Sequence, residues 1–271
     1  MAALFCRFRA FILMWSQERH TRILSLLSER QRLTTEMFAA ELGVSKETVR
    51  RDLIELEQHG KLNRVHGGAI PSEQNNVSPE ASYPERTRLQ RSEKQAIARA
   101  AAALIESSLS CFIDAGSTTH ALAQELAQAA PRSLRVITNS FDVAMCLSAR
   151  PEIEVHQLGG QLSSEMPATY GEFTIAEIAR FHVDLAIISP TALCAQRGAM
   201  DYVWHEASVA RAMIDHARSC LLLADASKLG ASSRVQICAA AAVGTLVTDA
   251  RADAQALQAL REAGIGQIVV A

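Results

Sequence analysis

The sequence predicts an α/β chain in two parts, a small and mostly helical N-terminal unit followed by a larger unit built on a largely parallel sheet. Three observations predict it. From Ser92 onward, short β-branched and leucine runs such as CFID (111–114), LRVIT (134–138), DLAIIS (184–189) and CLLLAD (220–225) alternate with helical stretches, the pattern of a parallel sheet covered on both faces. Residues 16–70 instead carry three short apolar helix patterns and one hairpin. Between the two, residues 71–91 place Pro71, Pro79 and Pro84 among Ser, Asn and Glu, the composition of a linker. With 271 residues, 49% of them hydrophobic, the chain can bury a sizeable core in each part.

Residues 1–15 read as an N-terminal extension, annotation-derived or disordered. MAALFCRFRAFIL is too short to span a bilayer, two arginines interrupt it, and no small-residue cleavage site follows it. Met14, directly before SQERHTRI, is the expected working start. A first helix behind Ser16 carries Ile23, Leu26 and Leu27. Thr34 or Thr35 opens a second with Phe38, Ala39 and Leu42, and Gly43 makes the turn. Ser45 is a good N-cap for a third helix, in which Val49, Leu53 and Leu56 recur at i, i+4 and i+7 and Gly60 supplies the stop. On that wheel Glu47 and Arg51 fall opposite the apolar stripe, with Thr48 and Arg50 on its flanks. Leu62 and Val65 then alternate with Asn63, Arg64 and His66, and Gly67-Gly68 offers the positive φ angles of a tight turn. A polar helix N-terminus beside a basic hairpin is the order of a winged helix-turn-helix, whose third helix enters a DNA major groove. The net charge of −2 supplies no general attraction to a polyanion, so any DNA affinity must be local.

The larger unit, 92–271, reads as Rossmann-like. Helices are expected at 93–105, 118–129, 141–148, 173–181, 206–217 and 253–263, and further strands at 153–158, 245–249 and 267–271. Ligands of such sheets bind beyond the carboxyl ends of the strands. The loops there are Asp114 to Thr119, Thr138-Asn139-Ser140, Gly159-Gly160, Ser189-Pro190-Thr191, Asp225 to Lys228 and Thr248-Asp249. In the first, Gly116 allows close backbone approach, Ser117 and Thr118 donate, and the helix opening at Thr118 offers free amides, a set that suits a phosphate. Lys228 adds a movable cation, and Asn139 a neutral partner for sugar hydroxyls.

Six cysteines are scattered with no CxxC pair, which argues for thiols in a reducing cytoplasm and against a disulfide framework or zinc site. No cofactor or metal is expected, since His205-Glu206 has no second His one turn on. Two other readings are open. Asp114, Asp184 and Asp201 are candidates for the carboxylate base of an aldose-ketose isomerase. Cys194, near Arg197, is the cysteine expected to be exposed and would carry redox sensing.

The run from His20 to Ala69, with VSKETVRRDLIELEQHGKLNRVHGGA at its heart, resembles the DNA-binding domain of the DeoR family of bacterial transcriptional regulators. The second part resembles that family's effector domain, similar in fold to ribose-5-phosphate isomerases. Its matching pieces are EKxxIA (Glu93 to Ala98), DAGST (Asp114 to Thr118), VITNS (Val136 to Ser140), LGG (Leu158 to Gly160), the acid-bearing stretch from Asp201 to Glu206, RAM (Arg211 to Met213) and LLADASKLG (Leu222 to Gly230). The resemblance implies a homo-oligomeric cytoplasmic repressor of a carbohydrate or related operon, with no membrane association, that leaves double-stranded operator DNA when a phosphorylated sugar binds. The residues expected to meet DNA are Thr35, Ser45, Lys46, Glu47, Thr48, Arg50, Arg51, Arg64, His66 and Gly67. Carried over by position, Gly116, Ser117 and Thr118 would hold the phosphate, with Asn139, Gly160 and Lys228 nearby and Asp201 and Glu206 facing the sugar; Asp114 and Ser140 complete the expected set. Ser189-Pro190-Thr191 departs from the more glycine-rich turn of many members, so the sugar end is expected to differ.

Overall fold

A computed structural model describes residues 16–30, 32–58, 61–65, 67–71, 81–129 and 133–271. The expected extension with Met14, the Gly60 stop, His66 and residues 72–80 of the expected linker lie outside the described residues. The chain divides into two compact units, Met1–Ser78 and Pro79–Ala271.

The first unit runs α1 (Ser16–Arg30), β1 (Leu33–Thr34), α2 (Thr35–Leu42), α3 (Lys46–Gln58), β2 (Leu62–Val65) and β3 (Gly68–Pro71), with its strands in the order β1-β3-β2. Its core joins the stripes the periodicity selects: Ile23, Leu26 and Leu27, then Phe38 and Leu42, then Val49, Leu53 and Leu56, closed by Leu33 and Leu62. Burying each of these side chains is worth roughly 1.5–3 kcal/mol. Gly43 ends α2 at φ +68, a conformation costly for a side chain-bearing residue. In the hairpin Val65 pairs with Gly68, so Gly68 belongs to β3 rather than to the turn. Gly67 alone has the positive φ, +82. Gly68 is needed for a different reason, since a Cβ there would lie 2.1 Å from the Leu33 carbonyl oxygen of β1.

The second unit begins with α4 (Tyr83–Arg88) and α5 (Arg91–Leu104). Then come β4 (Ser110–Ile113), α6 (Ser117–Gln128), β5 (Leu134–Thr138), α7 (Phe141–Ser148), β6 (Ile153–Gln157), β7 (Gln161–Leu162), β8 (Thr169–Tyr170) and α8 (Glu172–Ile178). The chain continues through β9 (Val183–Ile188), β10 (Ala192–Cys194), β11 (Gly198–Asp201), α9 (Trp204–Asp215), β12 (Ala217–Leu223), β13 (Val235–Cys238), β14 (Thr245–Thr248), α10 (Ala254–Glu262) and β15 (Gln267–Val270). Seven strands form one parallel sheet in the order β15-β14-β12-β9-β4-β5-β6. Successive residues feed opposite faces: Cys111 and Ile113 enter one core with α5 and α6, while Phe112 enters the other with α9. The strand order reverses between β4 and β9, which makes the gap beyond their carboxyl ends the switch point where ligands of such sheets bind.

Part of the expected linker is structured. Ser82 and Glu85 form a capping box at the start of α4, and the Tyr83 hydroxyl donates to Asp142 at 2.6 Å. Ser82 with Glu85 three residues on is a helix-start pattern, but it stands among prolines whose composition reads as linker. The antiparallel set β10-β11-β13 and the β7-β8 hairpin were also missed; their strands are two to four residues long.

Candidate functional site

In the first unit, Ser45 caps α3: its hydroxyl accepts from the Thr48 amide at 3.0 Å and lies 2.8 Å from the Thr48 hydroxyl. The first two turns then expose Lys46, Glu47, Arg50 and Arg51. Arg50 and Arg51 each lie 3.7 Å from Glu47, and Lys46 lies 2.8 Å from Glu36. Exposed pairs of this kind are worth about 0–1 kcal/mol, so a phosphate or base edge can displace them. Arg64 on the wing pairs with Glu57 at 3.5 Å, and Gly67 is exposed at the turn. Asp52, one residue beyond Arg51, points inward. It is 4% exposed and accepts twice from Arg19, at 2.8 and 2.9 Å, and once from His20 at 3.3 Å. That anchors α3 to α1 and fixes which face of α3 remains outward. Thr35, expected to meet DNA, is instead buried, because its amide and hydroxyl both donate to the Gly67 carbonyl at 2.8 and 3.2 Å and tie α2 to the wing turn.

In the second unit, the ends of β4, β5 and β11 and the start of α9 bring Asp114, Asn139, Asp201 and Glu206 into one narrow pocket, completed by Ser163, Met166, Thr169, Tyr170 and His205. The polar residues are held rigidly. The Ala115 amide donates to Asp114 at 2.8 Å and to Asn139 Oδ1 at 3.0 Å, while Asn139 Nδ2 donates to the Thr169 carbonyl at 3.2 Å. Asp201 accepts from the Thr191 hydroxyl at 2.6 Å and the Tyr202 amide at 2.7 Å. The His205 ring stacks on Tyr170 with centroids 4.0 Å apart, and its Nε2 is buried with no hydrogen-bond partner among the described residues.

Beside this pocket lies a cationic cradle at the switch point. Lys228, on a turn of 3-10 helix at Ala226–Lys228, donates to the Ser189 hydroxyl at 3.3 Å. Gly116 faces the same serine: a Cβ on it would meet Ser189 Cβ at 3.5 Å. Gly116 is also the N-cap of α6 and provides no side-chain cap, so the first amides of α6 have no partner within the helix. Thr118 Oγ1, fully buried in that first turn, has no hydrogen-bond partner among the described residues. Amides without a partner in the helix, an orphaned hydroxyl and a nearby ammonium have the chemistry to accept a small oxyanion.

Burial lifts the Asp114 carboxyl to about 7, and the charge of Asp201 pushes the same way. Burial raises Asp201 too. A folded-state pKa above the unfolded value near 3.9 means that the folded chain holds a proton the unfolded chain has released. The stabilisation is therefore complete at low pH and is lost as pH rises through about 7. Thermal melting of the full chain from pH 5 to 8 should show the transition of the second unit falling, by up to about 1.4 kcal/mol per pH unit, and Asp114→Asn should flatten the slope. An equal slope in the variant would remove Asp114 from this role.

Lys94 is a buried cation to which the sequence assigns no role. It stands on the apolar face of α5 with Ile97, Ala98 and Ala101, and is itself buried. Its ammonium donates to the Leu89 carbonyl at 3.0 Å and to the Arg86 carbonyl. Burial, then the charge of Lys228, lowers it to about 8. A lysine at three- and four-residue spacing from core positions was the signal available for it.

Other expected residues lie elsewhere. Ser140 is a buried N-cap, accepting from the Val143 amide at 3.3 Å. Gly160 borders a separate open depression with Phe173, Glu177 and Arg180. There its φ of +141 and a Cβ position 2.0 Å from Thr174 Oγ1 make it a close-packing glycine. Cys194, expected to be exposed, is buried in β10 with its sulfur 3.9 Å from the Ser232 hydroxyl, because β10 pairs with β11 in a sheet the sequence did not reveal. Asp184 accepts from the Ser110 amide and hydroxyl at 3.0 and 2.7 Å, at the opposite end of β9 from the pocket.

Residues 19–75 match the family model for a DeoR-like helix-turn-helix domain, and residues 89–250 that for the DeoR C terminal sensor domain. The chain is 35% identical over 237 residues to the HTH-type transcriptional repressor GlcR of Bacillus subtilis (strain 168), covering 87% of this chain and 89% of that one. It is 31% identical over 246 residues to the glycerol-3-phosphate regulon repressor of Escherichia coli (strain K12), covering 90% and 95%. Among solved structures, ribose 5-phosphate isomerase A of Methanocaldococcus jannaschii aligns with 50% of this chain and 52% of its own at 17% identity and TM-score 0.38, too slight a likeness to bear on chemistry.

Proposed function

The chain belongs to the DeoR family, and from that premise we propose that it is a cytoplasmic transcriptional repressor of a carbohydrate or related catabolic operon, released from its operator by a small phosphorylated metabolite. One observation carries the reading: a single chain holds an exposed basic helix end in a winged helix-turn-helix and, in its second unit, an oxyanion cradle beside a carboxylate-lined pocket. The relatives' names support both halves, since one speaks of transcriptional repression and the other of glycerol 3-phosphate. In this reading Gly116, Ser117, Thr118, Lys94 and Lys228 take the phosphate, while Asn139, Asp201 and Glu206 take the hydroxyls. Two copies would present one α3 to each half-site, and ligand binding would shift the equilibrium away from the operator-binding state.

The DNA half is tested at Arg51. If its guanidinium reads a base, Arg51→Ala should weaken operator binding by about 1–3 kcal/mol in a gel-shift titration, and a phosphate-only contact should cost less and fade with salt. Unchanged affinity would remove Arg51 from the reading set. The sensor is tested against the enzyme alternative by incubating purified protein with pentose phosphates, where turnover would overturn the repressor-only reading.

A further inference from the structure

Helix α4 is the first element after the Ser78/Pro79 division, and it is fastened at both ends to the sensor unit. At its start the Tyr83 hydroxyl donates to Asp142 of α7, which also lies 3.6 Å from His120 of α6. At its end Lys94 holds two main-chain carbonyls, those of Arg86 and Leu89. The two fastenings differ in kind. The first is a neutral donor on a carboxylate. The second depends on a buried ammonium with charges of both signs about it: Lys228, which reaches Ser189 in the cradle, and Arg86, whose guanidinium lies 5.8 Å above the Tyr83 ring, act against it, while Asp225 and Glu93 act for it. Geometry joins the start of α5 to the Lys228 turn: Glu93 pairs with Arg251 at 3.2 Å, and Arg251 pairs with Asp249, which accepts from the Ala226 amide at 2.7 Å. An ammonium has three protons, and two are spent on the α4 carbonyls. An arriving oxyanion would offset the repulsion and accept a charge-assisted bond from Lys94 without taking it from those carbonyls.

We propose that α4 is a strap locked by ligand: Lys94 grips its C-terminal carbonyls and shares the anion held by Lys228, so that occupancy of the cradle fastens α4 to the sensor core. Lys94 is thus a positioning residue for α4 as well as a contact for the anion. This rests on the phosphate-cradle reading given above. It adds that the first element beyond the division between the units changes its order with occupancy, which gives the ligand a physical means of being felt along the chain.

Hydrogen exchange on the full chain, with inorganic phosphate as the probe, separates the two claims. The expected result is slower exchange both in residues 114–122 and in residues 81–90, the second by about five-fold or more. Protection of 114–122 with α4 unchanged would overturn the strap while leaving the cradle standing. Protection in neither would overturn the cradle and the strap together. Lys94→Met should speed α4 exchange without phosphate and abolish its further slowing. Should that variant fail to fold, Tyr83→Phe, remote from the anion, serves instead. It should loosen α4 in the free protein and leave the protection of 114–122 intact, and α4 exchange equal to that of the parent would count against the strap.

Discussion

Asp52→Asn is expected to destabilise the first unit by about 3 kcal/mol and to abolish specific operator binding at temperatures where the parent chain is fully folded. The substitution keeps the shape of the side chain and removes its charge. Arg19 is then left nearly buried, at 14% side-chain exposure, without the carboxylate that accepts from two of its nitrogens, and His20 loses the same partner. Removing one member of such a pair costs more than the pair contributes, because the survivor remains desolvated. Arg19→Met combined with Asp52→Leu should therefore recover most of the loss. Calorimetry of the full chain should show the decrease confined to one transition, with the other unmoved. A single variant as stable as the parent would show that Asp52 is not the anchor of α3, and the explanation for the outward face of Arg51 would fall with it.

That anchor illustrates what could be read before the fold was known. Arg50, Arg51 and Asp52 look alike in the sequence, as three charges on a helix. Periodicity does separate the stripe of Val49, Leu53 and Leu56 from Arg51 opposite, and all three stripe residues are buried. It cannot show that Asp52, adjacent to the stripe, is captured by a residue more than thirty positions earlier. The same limit applies in the sensor unit. The seven strands of the sheet were legible because most are short apolar runs set apart by helices, and Phe141–Ser148 was legible to the residue because Ser140 caps it.

The residues the reading misplaced are those whose role depends on a non-local partner. Thr35 looked like the opening of an exposed helix until the wing turn covered it. Cys194 and Gly160 were placed by neighbours from β11 and α8 that no local pattern announces. Lys94 is the reverse case, since its position on an apolar face was visible and its partners were not. A small, glycine-bearing loop after a strand is the commonest of signals, and what no local pattern shows is that Gly116 faces Ser189, just beyond the end of β9, to which Lys228 donates.

Lys228→Ala should therefore leave the free chain nearly as stable as the parent and weaken its response to an oxyanion, and that pairing is what makes it diagnostic. In the unliganded chain Lys228 opposes the charge of Lys94 and favours that of Asp201, so the effects of its removal offset one another and the melting temperature of the sensor unit should change little. With an oxyanion present, the same substitution deletes a charge-assisted bond of about 1.5–3 kcal/mol, so the concentration of inorganic phosphate, or of glycerol 3-phosphate, giving a half-maximal thermal shift should rise roughly 10- to 150-fold. Operator affinity without ligand should match the parent, because the substitution lies outside the unit that carries α3. A variant damaged in its folding would melt earlier and respond less, whereas a residue that only braces Ser189 would melt earlier and respond as before. Only a ligand-binding cation combines unimpaired stability and operator affinity with a lost response, and a normal phosphate response in the variant would remove Lys228, and the cradle with it, from the sensor site.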